Sequence, residues 1–415
     1  MPMYGTIINY VAWYVFMFIS VMWLLILLRN WGRPNNLGSN NSWFPVVSVL
    51  VPAYNEEQYL EKTLKSLLSL DYPKRMLDII VVNDCSKDRT RKIAESFGKE
   101  GVRVLNNSVN MGKAASLNRA IPLCRGEFVA CIDADSTVEP DILKKMTSYF
   151  KNPVVASVTP ALKVENPRNM LEKAQYAEYI LNIFLRKMLA FIDSVHVTPG
   201  VFSVYRKSVL QEIGGFDNDN LTEDMEIALR IHEAGYTIEN NMNAISYTAC
   251  PDRFRELYKQ RVRWYRGAVQ NAVKYKHMLF NRKYGNLGVF FLPFNLIAIV
   301  AIVAIFFLLS VNYVMSFIDY VWKFSLVNWD IMSFIPKSIS MDSVFIYLVN
   351  TPLVLWAFGS VMALSLLLVS FRLANEKISI RRFSYFLYIF IFPFIYMFLW
   401  AVALVFEAAG RKRVW

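Results

Sequence analysis

Acidic residues stand at the ends of apolar, β-branched runs in this chain, where strand ends converge on one crevice. Asp84 closes one such run in VNDCSKD (Val82–Asp88), and Asp133 and Asp135 close another in CIDADS (Cys131–Ser136). Two carboxylates one residue apart at a strand end suit Mg²⁺ or Mn²⁺ and leave positions free for phosphate oxygens. A second Asp-x-Asp pair, Asp217/Asp219, follows Gly214-Gly215 in a polar loop and reads as solvated. Lys113 follows Gly112 in NMGKAASLN (Asn110–Asn118) at a helix start, a combination that suits a diphosphate. Leu221-Thr222-Glu223-Asp224 opens an amphipathic helix with acids in its first turn, as many helices have. In QRVRW, Gln260, Arg263 and Trp264 share one helical face, with Gly267 one turn beyond leaving that face open for a ligand. Arginine offers a planar fork for a diphosphate, glutamine a neutral hydrogen-bonding group, and indole a stacking face for a sugar ring.

The elements that must position these residues follow from periodicity. Strands are expected at Val46–Ala53, Leu77–Asn83, Val102–Leu105, Glu127–Ile132 and Val154–Val158, with helices between them at Glu56–Leu70, Asp88–Phe97, Lys113–Leu123 and Pro140–Phe150. That alternation implies a parallel sheet covered on both faces, with ligands outside the carboxyl ends of the strands. The amphipathic segment Asn166–Ile192 fits either packed core or a membrane interface. The turn-rich segment 29–45 reads as a linker.

Of the 415 residues, 55% are hydrophobic and only 19% charged, and the mean hydropathy is +0.30. Disorder, collagen-like repeats and disulfide scaffolds are thereby excluded, and four cysteines without C-x-x-C spacing read as reduced thiols. The apolar excess sits in uncharged runs at Ile7–Leu28, Leu287–Phe317, Ser343–Phe371 and Phe383–Phe406, each long enough for a helical span. The expected organisation is an N-terminal anchor (1–28), a cytoplasmic domain (46–251), a basic interfacial helix (252–286) and about three C-terminal spans (287–415). Arg29 and Arg33 put the large domain in the cytoplasm by the positive-inside rule, and Trp322–Pro336 reads as a short interfacial helix. Between Asp252 and Lys283 lie ten Lys/Arg and two acidic residues, a patch that abuts a span and therefore suits membrane lipid or pyrophosphate and not nucleic acid.

Taken in order, PAYNEE (Pro52–Glu57), VNDCSKD, NMGKAASLN, DADS, LTED and QRVRW resemble the membrane-embedded family 2 glycosyltransferases, among them the poly-N-acetylglucosamine, hyaluronan, chitin and cellulose synthases. The resemblance implies a GT-A fold (α/β, Rossmann-like, mostly parallel sheet) with an α-helical transmembrane region. It further implies an inverting, metal-dependent transfer from a nucleotide sugar, UDP-GlcNAc or UDP-Glc, in the plasma membrane. By that resemblance Tyr54, Glu56 and Asp84 contact the nucleoside and Lys113 the diphosphate side. Asp133 and Asp135 flank a Mg²⁺- or Mn²⁺-bound diphosphate, Asp224 beside Glu223 is the base, and Gln260, Arg263 and Trp264 close over diphosphate and acceptor. The acceptor is a growing glycan in the leading reading and a membrane lipid in the alternative; some relatives also need a small accessory membrane subunit. Where relatives carry acceptor signatures this chain reads Thr198-Pro199-Gly200-Val201-Phe202-Ser203, and Tyr265-Arg266 follows Trp264 where smaller, neutral residues are common. A transporter with an inert cytoplasmic domain fits poorly, because the spans lack charged residues.

Overall fold

A computed structural model of the chain describes residues 2–30, 43–330, 341–342, 353–377 and 384–410. Its centre is an eight-stranded mixed sheet in the order β3-β2-β1-β4-β7-β6-β8-β5. The strands are β1 (Val47–Ala53), β2 (Leu77–Asn83), β3 (Arg103–Asn106), β4 (Phe128–Ile132), β5 (Thr137–Val138), β6 (Val155–Val164), β7 (Val201–Arg206) and β8 (Thr237–Thr248). Strands β1 to β4 are parallel neighbours, β7 runs antiparallel between β4 and β6, and β8 lies parallel to β6. The parallel sheet expected from the sequence is thus one half of a mixed sheet.

Alternation along each parallel strand divides the core. Val47, Val49, Val51, Ile79 and Val81 enter one apolar cluster, and Leu50, Ile80 and Val82 enter the other. The first cluster is closed by α2 (Leu60–Leu68) and α5 (Ile142–Thr147), with α3 (Thr90–Ser96) at its edge. The second is closed by α4 (Lys113–Ala120), α6 (Met170–Ala190), α7 (Lys207–Glu212) and α8 (Glu223–Glu233). Trp23 and Leu27 of α1 (Pro2–Arg29) and Phe291, at the entry to α10 (Leu292–Leu326), join this second cluster. All four cysteines are free thiols.

Helix α6 is a core helix. Its N-terminus is fixed by a capping box in which Asn169 and Glu172 exchange hydrogen bonds, and Ala174, Ala177, Ile180, Ile183, Phe184 and Met188 are buried. It packs on β6 and β8 and on the helices Leu353–Leu373 and Ser384–Phe390.

Residues Leu287–Leu326 form a helix of 40 residues, long and apolar enough to cross a membrane. Ser384–Phe390 and Phe392–Ala408 form a pair bent by 46°, where Pro393 breaks the backbone ladder; together they pass the same test as one broken span. Met17–Arg29 and Ala357–Leu373 are shorter apolar helices. The stretch Trp322–Leu326 continues α10 and is not a separate interfacial helix, and the remainder of that expectation beyond Asp330 lies outside the described residues. So do residues 31–42 of the linker, the start of the Ser343–Phe371 run, residues 378–383 and the basic tail from Arg411.

The two residues that depart from the family pattern dock the last helix onto α9 (Phe254–Lys274). Tyr265 stacks on Trp400 with ring centroids 4.3 Å apart, and Arg266 Nε donates to Glu407 Oε1 at 2.5 Å. Gln270 Nε2 donates to both oxygens of Glu407. A second ion pair, Lys163 with Glu376 (2.6 Å), joins β6 to the loop after Leu353–Leu373. Glu407 is partly exposed, so losing it costs less than the roughly 3–5 kcal/mol of breaking a fully buried pair, yet it still removes a partner of the buried Arg266. Glu407→Ala should therefore lower the melting temperature of detergent-solubilised protein and speed tryptic cleavage near α9, whereas Glu407→Gln, which still accepts from Arg266, should lose less.

Candidate active site

The loop after β1 owes its shape to the loop after β2. Asn55 N–H donates to Ser86 Oγ (3.1 Å), Glu56 N–H to Thr90 Oγ1 (2.7 Å) and Glu57 N–H to Asp88 Oδ2 (3.1 Å), while Lys87 N–H donates to Asn55 Oδ1 (2.9 Å). This stitching takes residues 56–59 out of the expected helix, so α2 begins at Leu60. Asn55 (φ 57°) and Cys85 (φ 59°) adopt the left-handed conformation at these two strand ends, a strain that recurs at functional loops. Tyr54 is exposed beside them, and Glu56 is half-buried. Burial, with Asp135, Asp133 and Asp88 nearby, pushes the Glu56 carboxyl up to about 7.

Asp84 is buried and accepts three hydrogen bonds. Oδ1 accepts from Asn107 Nδ2 (2.7 Å) and Met111 N–H (2.9 Å), and Oδ2 from Gly112 N–H (2.8 Å). In this structure it holds the Met111–Gly112 turn that starts α4, and so sets where Lys113 emerges.

Lys113 is the hub of the site. Its ammonium lies 2.5 Å from Asp133 Oδ1 at the end of β4 and 3.2 Å from Glu223 Oε1 at the start of α8. Burial would lower its pKa, but Asp133 and Glu223 hold it well above the usual lysine value. Gly200, from the Thr198–Ser203 stretch, presses its backbone against this pair: a Cβ there would stand 2.5 Å from Lys113 Nζ and 3.1 Å from both Asp133 carboxylate oxygens. The β4–β7 register shifts at Cys131/Ile132, and Phe202 has φ 70°, so a bulge aims both strand ends at the site.

Asp135 accepts from Ser136 Oγ (3.0 Å). Its carboxyl is raised by burial and by Asp133. Among the described residues no cluster of three or more His, Cys, Asp or Glu could hold a metal. The donor set still fits a hard divalent cation: two hard carboxylates that repel each other and Glu56, with the remaining coordination left to water or phosphate oxygens.

Asp224 accepts from Met225 N–H through Oδ1 (2.9 Å), and its carbonyl takes both Thr198 N–H (3.1 Å) and Thr198 Oγ1–H (2.9 Å). Burial first, then the neighbouring Glu223, raises its carboxyl to about 6, against the opposing pull of Lys113 and Arg263. A carboxylate in that range serves as a base near neutral pH. Asp217, expected to be solvated, instead accepts from Lys274 Nζ (2.7 Å), which also binds the buried Glu226 of α8.

Helix α9 brings QRVRW beside Asp224. Arg263 is exposed and its Nη1 reaches Leu221 O (3.4 Å), while Gln260 and Trp264 are half-buried. Arg261, given no role by the sequence reading, pairs with Glu178 of α6 (2.8 Å) and lies 4.2 Å over the Trp264 ring, occupying one indole face. Gly267 does not open a ligand face. It is where α9 abuts the Thr222-Glu223-Asp224 turn: a Cβ would stand 2.3 Å from Thr222 Oγ1 and 2.5 Å from its Cγ2. Asn271, one turn on, closes the contact by accepting from Asn220 Nδ2 (2.7 Å) and donating to Thr222 Oγ1 (3.1 Å).

A strand-end carboxylate pair, a bridging lysine and the raised carboxyl of Asp224 beside an arginine-bearing helix thus lie together. The model of "Glycosyltransferase like family 2" matches residues 45–267, which hold every motif described above. The chain belongs to this family. It is 31% identical over 271 residues to a poly-β-1,6-N-acetyl-D-glucosamine synthase of Staphylococcus epidermidis RP62A, a match covering 63% of this chain and 65% of that protein. It is 32% identical over 224 residues to the synthase of the same name from Staphylococcus aureus COL, covering 53% and 54%. The chain therefore spans under two thirds of the length of these relatives. The fold is shared with the mannosyltransferase PcManGT from Pyrobaculum calidifontis, solved with GDP-Man and Mn²⁺, at TM-score 0.62 and 18% identity over 98% of both chains. The chain thus has a GT-A fold followed by a helical C-terminal part.

The Gly267 contact gives a direct test. Gly267→Ala should leave α9 helical but force it off Thr222, lowering sugar transfer at least ~10-fold. Thr222→Ala in the same chain, which removes the two nearest atoms, should restore part of it. Wild-type activity in the single variant would show that the contact does not set the geometry.

Proposed function

We propose that the chain is an inverting glycosyltransferase that elongates a β-linked polysaccharide from a UDP-sugar, UDP-GlcNAc or UDP-Glc, at the cytoplasmic face of the plasma membrane. In this reading it passes the product through its own membrane helices. The observation that carries it is the Lys113 bridge, which puts the Asp133/Asp135 pair and the raised-pKa Asp224 within reach of one side chain. The homology to synthases of poly-β-1,6-N-acetyl-D-glucosamine supports the polymer product.

Residues 46–251 carry the transfer, residues 252–286 close over it, and residues 1–28 and 287–415 form a multi-pass membrane region. Tyr54 and Glu56 line the nucleoside end, with Asp84 holding the turn beneath it. Asp135 with Asp133 would hold Mg²⁺ or Mn²⁺, which when bound supplies positive charge to the departing diphosphate. Lys113 and Arg263 add their own charge to the same leaving group. Asp224 takes the proton of the acceptor hydroxyl as its oxygen bonds to the anomeric carbon. The bond from that carbon to the diphosphate breaks on the opposite face, so the configuration inverts with one base. Glu223 keeps that base weakly acidic and anchors Lys113, while Gln260 and Trp264 face the acceptor. Membrane lipids surround the helices, and a small accessory subunit fits the same region in this reading.

The test is purified protein with Mg²⁺ or Mn²⁺ and labelled UDP-sugars, with products sized after lipid extraction. A glycosidase-sensitive ladder is expected. A single labelled lipid would instead make it a single-transfer enzyme, and no turnover of any donor would overturn the reading. Asp224→Asn should bind donor but lose at least ~10²-fold in transfer.

A further inference from the structure

Residues 213–222 run from α7 to α8 without helix or strand, yet side chains of two other helices hold them along most of their length. At the start the holder is Asn118 of α4, the last residue of NMGKAASLN. Its Oδ1 accepts from Phe216 N–H (2.7 Å), and its Nδ2 donates to Phe216 O (2.7 Å) and to Asn218 Oδ1 (3.1 Å). Gly215 (φ 76°) makes this fit possible, because a Cβ there would stand 2.4 Å from Asn118 Oδ1. Phe216 is buried edge-on against Tyr205, with ring centroids 5.8 Å apart.

From Asp217 onward the segment follows one face of α9. Arg263, Gly267, Asn271 and Lys274 are three or four residues apart and so form a single stripe on that helix. Lys274 Nζ donates to Asp217 Oδ2 (2.7 Å), and Asn271 accepts from Asn220 Nδ2 (2.7 Å) and donates to Thr222 Oγ1 (3.1 Å). Gly267 abuts Thr222, and Arg263 Nη1 reaches Leu221 O (3.4 Å). The segment thus lies antiparallel on α9 like a rail. Its ends are buttressed from α8: the fully buried Glu226 accepts from Lys274 Nζ and Tyr275 Oη (both 2.7 Å), and Arg230 Nη1 donates to Ile213 O (2.8 Å).

Asn118 stands five residues after Lys113, about 7.5 Å along the axis of α4. The Lys113–Glu223 ion pair is one attachment between α4 and the pair α8 and α9, and it weakens whenever the ammonium turns to an anionic ligand. Asn118 supplies a second attachment that such a ligand does not compete for. We propose that Asn118 and Asp217 are positioning residues, which through residues 215–222 hold α9 in register with α4. Lys113 and Arg263 then keep the spacing at which both charges meet the departing diphosphate. This rests on the reading of those two cations as the leaving-group side of a transfer site. Neither Asn118 nor Asp217 is bonded to the ends of β1, β2 and β4, so their loss is felt in the rate of transfer and not in donor affinity.

The experiment uses the whole chain in detergent with two readouts. Titration calorimetry with UDP and Mg²⁺ gives stoichiometry and Kd, and single-turnover transfer from a labelled UDP-sugar gives a rate per loaded protein. The Asp217–Lys274 pair is partly exposed and adds little to stability, so Asp217→Asn should fold. In Asn118→Ala and in Asp217→Asn the rate should fall at least ~10-fold, while UDP stoichiometry and Kd change by less than about twofold. The double variant should be no slower than the slower single one, because either break frees the same rail. Lys274→Gln should slow transfer as Asp217→Asn does, and Lys274→Arg, which still reaches both carboxylates, should retain most of the rate. Unchanged rates in both single variants would overturn the proposal, as would effects that multiply in the double variant. A drop in UDP-binding stoichiometry at an unchanged rate would also overturn it, by making both residues merely structural. In each of these cases wild type still transfers and the transferase reading stands; no transfer by wild type from any UDP-sugar would overturn both.

Discussion

One ammonium group joins the two halves of this fold. Lys113 sits between Asp133, at the end of the parallel half of the sheet, and Glu223, at the start of the helix that carries Asp224. Asp133, Asp135, Glu56, Glu223 and Asp224 would otherwise form a crowd of like charges; burial first, and then that crowding, raises the carboxyls of Glu56 and Asp224. Other features serve to put Lys113 there. Asp84 pins the Met111–Gly112 turn, and the bulge at Cys131/Ile132 turns the end of β4. A glycine at position 200 lets a backbone lie against the pair.

The second constraint is the reach of α9, which belongs to the active site and to the helical C-terminal part at once. At Gly267 and Asn271 it touches the turn that opens α8; at Tyr265, Arg266 and Gln270 it grips the last helix; at Arg261 it grips α6. Movement of the apolar helices is therefore felt at Arg263 and Asp224 through short side-chain links. This gives the basic segment a structural meaning beyond charge. Arg261 is spent on the buried Glu178 and Arg266 on the partly exposed Glu407, and Arg263 is left exposed.

Much of this was legible in the sequence. β1 to β4 and the carboxylates at their ends were placed within a residue or two, because buried β-branched runs and a helix-starting Gly-Lys are local signals. The antiparallel β7 and the long β8 were not expected. Thr237–Thr248 is rich in Asn and alternates burial without an apolar run, so its strand character comes from pairing with β6. Helix α2 was expected too early, because residues 56–59 are held by hydrogen bonds from a loop 30 residues away. Gly267 was noticed but misread: a small residue on a helix signals close approach, and the approaching group was Thr222 and not a ligand.

The central claim is that the carboxylates around Lys113 tune Asp224 as the base. The most direct measurement is the pH dependence of transfer in wild type and in Glu223→Gln, at saturating donor. Asp224 is active when deprotonated, so activity should be present above its pKa and fall as pH drops through about 6. Removing the Glu223 charge takes away repulsion and leaves more of the Lys113 charge facing Asp224. Both effects lower its pKa, so the acid limb should move to lower pH. A limb that stays in place or moves up would assign the titration to another group and contradict the account.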